Sequence, residues 1–205
     1  MKALLLILTT MSLGLPATAQ TKPVLYPKLS KTLDSLVAVD QQPMQAMMQH
    51  AIADSTRNRL IAAEQTNFSR HQPVLEAIVQ KYGYPGFKQV GEKSSNNFWL
   101  LVQHADAHPE FQQQVLRLML PEVKSKNANS SNYAYLTDRV ALGTGQPQEY
   151  GTQLEYKAIG LASPRNLRDP AQVNQRRKTL GMPPLADYLK MAGEAHRKMN
   201  MSAAK

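Results

Sequence analysis

The chain has 205 residues, 42% of them hydrophobic and 19% charged, with a formal net charge of +9 and no cysteine. That length supports one domain with a real core and is too short for two full ones. The absence of cysteine excludes disulfides, thiolate nucleophiles, cysteine-ligated zinc and iron–sulfur clusters, so stability must come from the core itself.

Residues 1–19 read apart from the rest. Lys2 gives a short positive start and Ala3 to Leu15 is apolar. Pro16 then breaks the run, and Ala17-Thr18-Ala19 offers a small-x-small site before Gln20. This is the layout of a secretory signal, and the run is shorter than the roughly 20 apolar residues a spanning helix needs. The expectation is an exported protein, periplasmic or secreted, cut near Ala19. Charge is uneven: from Arg165 to Lys205 there are nine Lys or Arg against three Asp or Glu. The cations are dispersed, which reads first as a soluble basic surface and second as a weak contact for anionic envelope material. Nucleic acid is not expected as a partner of an exported chain.

In chain order, Thr21 to Leu29 is an extended leader. Leu29, Leu33, Leu36 and Val37 predict a short amphipathic helix ending near Asp40. Asp40 is then placed as the cap of a second helix, with Pro43 in its first turn and Met44, Met47, Met48, Ile52 and Leu60 as an adaptable core stripe. Ser69 opens a further helix through Val74, Leu75, Ile78, Val79 and Tyr82, which the turn Gly83-Tyr84-Pro85-Gly86 stops. Ser94 or Ser95 caps the helix carrying Trp99 to Asp106, and Pro109 begins the next, with Phe111, Val115, Leu118 and Met119 on one face. Ser131 precedes a helix through Tyr133, Leu136 and Val140 that ends at Gly143 and Gly145. The 146–164 stretch has no helical stripe and reads as a small hairpin or extended lid. Asp169 and Pro170 restart helix as cap and first residue, and Gly181 stops it. Pro183-Pro184 begins a last helix docking through Leu185, Tyr188, Leu189 and Met191, with a fraying tail.

The fold class that follows is mainly α: a single-domain bundle of about seven helices with one irregular or short β insert near 146–164. As organisation this gives 1–19 as signal, 20–39 as leader and first short helix, 40–200 as the helical domain and 201–205 as a disordered tail.

The run Trp99 to Asp106 turns abruptly from apolar residues into Gln103, His104 and Asp106. His104 is a sensible general base because its ordinary pKa lies near neutrality. A half-buried histidine hydrogen-bonded to backbone or to Asp138 accounts for the same residue. His104 and His108 form an i,i+4 pair that chelates metal only when helical, and Pro109 disfavours helical geometry at His108. No metal or cofactor is therefore assigned. Asp138 and Arg139 diverge by about 100° on a helix, so each needs a partner elsewhere. Arg139 suits a carboxylate or phosphate anchor, or an ion pair with Asp106. Tyr150-Gly151-Thr152-Gln153 combines a glycine with three hydrogen-bonding side chains, able to orient a polar ligand or to lock as a turn on the core.

The ordered segments GYPG (83–86), VGE (90–92), WLLVQHAD (99–106), AYLTDRVAL (134–142), YGTQ (150–153) and RDPAQVNQRRKTLGMPPLADYL (168–189) resemble an uncharacterised bacterial domain-of-unknown-function family. The resemblance runs from Asp40 to Leu189 and carries over positions but no activity. One departure is Asn174, where many relatives carry Asp ahead of the Arg176-Arg177 pair. The reading that results is a binding module. Gln103, His104, Asp106, Asp138 and Arg139 would floor a groove for a small polar or anionic envelope ligand, with Tyr150, Gly151, Thr152 and Gln153 across it. Two alternatives stand beside it: a hydrolase using His104 with Asp106 or Asp138, and a structural protein in which the polar cluster is an internal staple.

Overall fold

Two long helices cross the boundaries expected from the sequence. In the computed structural model, which describes residues 23–49 and 53–203, α1 spans Pro27–Gln49 and α2 spans Asp54–Tyr82. The expected signal segment lies outside the described residues. α2 runs back along α1: the rings of Tyr26 and Tyr82 stand 4.9 Å apart, and Asp40 of α1 meets His71 of α2. Asp40 is therefore not a helix cap. It sits inside α1 on the stripe begun by Leu29 and Leu33, both buried.

Pro43, expected in a first helical turn, lies in the interior of α1 instead, and α2 carries Pro73 in its interior. An internal proline removes the donor for the carbonyl four residues earlier. For Pro43 that carbonyl belongs to Val39, and the Asn67 side-chain amide of α2 donates to it at 3.1 Å. The partner helix thus supplies the bond that the proline cannot.

A one-turn helix α3 (Phe87–Val90) follows the GYPG turn, and α4 (Glu92–Gln103), α5 (Pro109–Lys124) and α6 (Ser130–Gly143) complete the main bundle. Gly83 ends α2 with φ 68, and its N–H bonds Val79 O. Ser94 and Ser95 do not cap α4 but lie buried within it. Ser94 Oγ donates to Asp34 of α1 at 2.8 Å, as does the Asn97 amide. The cap of α6 is Asn129, whose side chain accepts from Asn132 N. Leu33, Phe98, Val102, Met119 and Leu136 are sealed where α1, α4, α5 and α6 meet.

The insert is an antiparallel hairpin of β1 (Leu154–Ala158) and β2 (Leu161–Pro164), paired Leu154↔Pro164 and Tyr156↔Ala162. A 3-10 turn (Pro170–Gln172) leads into α7 (Val173–Thr179), and α8 spans Leu185–Ala203. Asp169 takes φ 38 and makes no side-chain cap bond, so it turns the chain rather than capping. The hairpin lies on α8: Gly160 N donates to His196 Nδ1 at 3.2 Å, and the Tyr156 ring stacks on His196 at 4.0 Å. Met191, expected to dock, is 59% exposed, because the docked face of α8 carries Gly193 and His196 instead. α8 continues through residue 203.

The fold is thus mainly α with a short β insert, and it has eight helices among the described residues. No described helix is long and apolar enough to cross a membrane.

Candidate functional site

The polar residues expected to share one groove floor are divided among three places. The division follows from where α4 ends. Its last helical residue is Gln103, and His104, its C-cap, has φ −85 and ψ −2. The chain then turns, so His104 faces the α1–α2 pair while Asp106 faces α6. The α4 terminus is closed by Gln112 of α5, whose amide donates to Val102 O at 3.0 Å and to Asp106 Oδ1 at 3.3 Å. Orphan carbonyls at a helix end need such a donor.

The first place is a staple. Asp138 is fully buried in α6. Its Oδ1 accepts from Glu149 N (2.7 Å) and Tyr150 N (2.9 Å), and its Oδ2 from Thr152 N (2.8 Å) and Thr152 Oγ1 (2.9 Å). Four donors satisfy a carboxylate completely, so Asp138 holds the 149–152 loop in place. Other residues pin the same loop. Arg177 Nη1 donates to Tyr150 O at 2.7 Å, Tyr188 Oη donates to Thr152 O at 3.0 Å, and the buried Gln148 bridges Gln153 N and O and Arg165 O. Gly151 takes φ 72, and a Cβ there would stand 2.9 Å from Leu185 Cδ1. Tyr150 is half-buried, and that burial pushes its hydroxyl pKa up to about 12. Asn174 Oδ1 accepts from Leu185 N at 2.8 Å, at the start of α8. An amide oxygen fills that acceptor position as a carboxylate would.

The second place is an open cleft of about 290 Å³ lined by Asp106, Gln112, Arg139, Leu142, Gln153 and Arg165, among others. Arg139, one residue on from the buried Asp138, points here. It grips Asp106 bidentately, Nε to Oδ1 at 2.7 Å and Nη2 to Oδ2 at 2.5 Å. Arg165, just past β2, has no ion-pair partner among the described residues. With Arg139 and Asp106 cancelling, the cleft carries one uncompensated positive charge and the side-chain amides of Gln112 and Gln153.

The third place joins α1, α2 and α4. His104 Nδ1 stands 2.9 Å from Asp40 Oδ2, and His71 Nδ1 3.6 Å from Asp40 Oδ1. The first distance is that of a hydrogen bond. Its alignment falls short of an ideal hydrogen bond. Gln41 donates to the same Oδ2 at 2.7 Å, and the Phe68 ring lies 4.6 Å from that of His104. Burial acts to raise the Asp40 pKa, but His104, Gln41 and His71 together outweigh it and hold it below 3.8. Burial lowers the His71 pKa below 6.5, against the pull of Asp40.

Neither Asp106 nor Asp138 makes an ion pair with His104; Asp40 takes that position. Gln103 is buried with its amide nitrogen unpartnered, outside the cleft lining. His108 lies beyond the helix end with φ −127, so the i,i+4 pair does not form. Among the described residues, no group of three or more His, Cys, Asp or Glu is arranged to hold a metal ion. The sequence does not single out Asp40, His71, Gln112 or Arg165 as site residues. A signal was present for two of them: Asp40 continues the Leu29–Leu33–Val37 stripe and His71 precedes Leu75 by one turn, so both fall on buried helix faces.

No curated protein and no solved structure matches the chain. A family model, described as a family of unknown function (DUF6624), matches residues 27–199, from the first residue of α1 into α8. The chain, with its stapled 149–152 loop and its Arg-lined cleft, therefore belongs to that family of unknown function.

Proposed function

We propose that the protein is an exported binding module whose cleft takes a small anion, a carboxylate or phosphate group. One observation carries this reading: the guanidinium of Arg165, without an ion-pair partner among the described residues, lies on the same cleft as the Arg139–Asp106 pair. An arginine fork matches carboxylate and phosphate geometry, and the Gln153 side chain lies beside it on the cleft wall. Asp138 contributes indirectly, by fixing the loop on which Gln153 sits. The ligand would be met in the envelope or outside the cell, as the signal-like residues 1–19 imply.

Calorimetric titration of the protein with inorganic phosphate and with succinate tests the cleft. Binding of one of them, weakened about tenfold by Arg165→Ala, is expected for a loss of one charge-assisted contact. Equal binding by the wild type and a folded Arg165→Ala variant would refute the cleft as the site. The export half of the reading is checked separately. Expression of the full chain in a bacterial host, followed by N-terminal sequencing, should recover protein beginning at Gln20.

A further inference from the structure

Asp40 and Asp138 are both sealed carboxylates, 1% and 0% exposed, yet they are treated in opposite ways. Asp138 has four donors, three of them backbone N–H groups. Asp40 has one amide, Gln41, and two imidazoles, and its Oδ1 has no hydrogen-bond partner. A buried carboxylate left under-satisfied is costly, and structures that need only a staple supply it with backbone donors or an arginine. The same chain does this at Asp138. At Asp40 the negative charge is instead aimed at a ring whose side chain is 21% exposed, that of His104.

The orientation of that ring gives the arrangement its chemistry. Nδ1 faces the buried carboxylate at 2.9 Å, so Nε2 is the nitrogen turned away from it. A carboxylate behind Nδ1 favours the Nδ1–H tautomer, leaves Nε2 with a free lone pair, and stabilises the imidazolium once formed. Phe68 flanks the ring at 4.6 Å and restricts its rotation. His71, on the other carboxylate oxygen at 3.6 Å, is too distant to compete for the same bond.

We propose that His104 is a proton-accepting centre, with Asp40 as its positioning residue, that activates water toward an electrophilic ester-type centre. In the step, a water O–H bond breaks as its proton passes to Nε2 and the water oxygen bonds to the carbonyl carbon, with the imidazolium charge balanced by Asp40. The ester C–O bond then breaks, and the alkoxide leaves with the proton returned from Nε2. The centre is separate from the anion cleft, since His104 does not line it. It rests on different residues, so either can fail alone.

Two measurements on the full chain test this. Long-range 15N–1H correlation spectra of the wild type should show His104 as the Nδ1–H tautomer with Nε2 bare; an Nε2–H tautomer overturns the proposal. Diethyl pyrocarbonate, an acylating electrophile, should modify His104 at Nε2, read by peptide mass spectrometry. Asp40→Asn should cut that rate by about tenfold or more by favouring the other tautomer. His108, with its side chain 43% accessible, should be modified at the same rate in both proteins and serves as the internal reference. An unchanged His104 rate in a folded Asp40→Asn variant refutes the positioning role. If that variant does not fold, the wild-type spectrum alone decides.

Discussion

Asp138 and Thr152 are joined by two hydrogen bonds to one carboxylate oxygen, from Thr152 N at 2.8 Å and from Thr152 Oγ1 at 2.9 Å. This contact fixes the loop between α6 and the hairpin to the bundle core. Asp138→Ala would strand three backbone donors in a sealed place and should cost about 3 kcal/mol or more. Thr152→Val removes only the hydroxyl and should cost about 1 kcal/mol. Urea unfolding of both variants, compared with the wild type, checks the order. Equal losses would show that the backbone donors find other partners.

The Asp106–Arg139 pair is half-exposed, with side chains 58% and 33% accessible. Exposed pairs contribute little, so Asp106→Asn should change stability by less than about 1 kcal/mol. It should also free Arg139 and add a second uncompensated positive charge to the cleft. Phosphate should then bind more tightly than to the wild type, and more so at low ionic strength. Titrations at two salt concentrations measure both effects.

Stability should fall on acidification in two stages. His71 is held below its ordinary 6.5 in the fold, so the unfolded chain takes up that proton first, and stability drops as pH falls through and below 6.5. Asp40 is held below 3.8, so its contribution is present above 3.8 and is lost as pH falls through its depressed folded value. Urea midpoints measured from pH 8 to pH 3 should decline throughout, and His71→Phe should flatten the upper stage. A midpoint that rises between pH 7 and pH 5 would contradict the sign of the His71 shift.

Gly193 lets α8 approach the hairpin turn: a Cβ there would stand 2.3 Å from Gly160 O. Gly193→Ala should push the hairpin off α8, break the Tyr156–His196 stack and cost about 1–3 kcal/mol. Gly143, at the end of α6, has nothing within 4 Å of its Cβ position. Gly143→Ala should therefore be neutral or stabilising, by up to about 1 kcal/mol. Thermal melts of the pair, with amide exchange across 154–164, separate contact from helix propensity.

The helical stripes were legible because burial imposes a 3.6-residue period on any helix packed on one side, and α5 and α6 follow theirs closely. Helix ends were less legible. Asp40 next to Pro43 reads locally as a cap and first turn, yet α1 continues, because Asn67 of α2 satisfies the carbonyl that Pro43 frees. Ser94 reads as a cap, yet Asp34 of α1 takes its hydroxyl into the helix interface. In each case a residue more than 25 positions away supplied the bond that local sequence lacked.

His104 shows the same limit for the site. The sequence alone determined a cysteine-free, mainly α chain with a short hairpin insert, and it singled out the polar residues after Trp99, at Asp138-Arg139 and at Tyr150–Gln153. Those features are set by composition, periodicity and turn chemistry, which act over a few residues. Only the tertiary structure decided which carboxylate each group meets: Asp40 for His104, Asp106 for Arg139, and the 149–152 loop for Asp138. The physical reason is the turn after Gln103, which sends His104 and Asp106 to different helices, and the 100° step that separates Asp138 from Arg139.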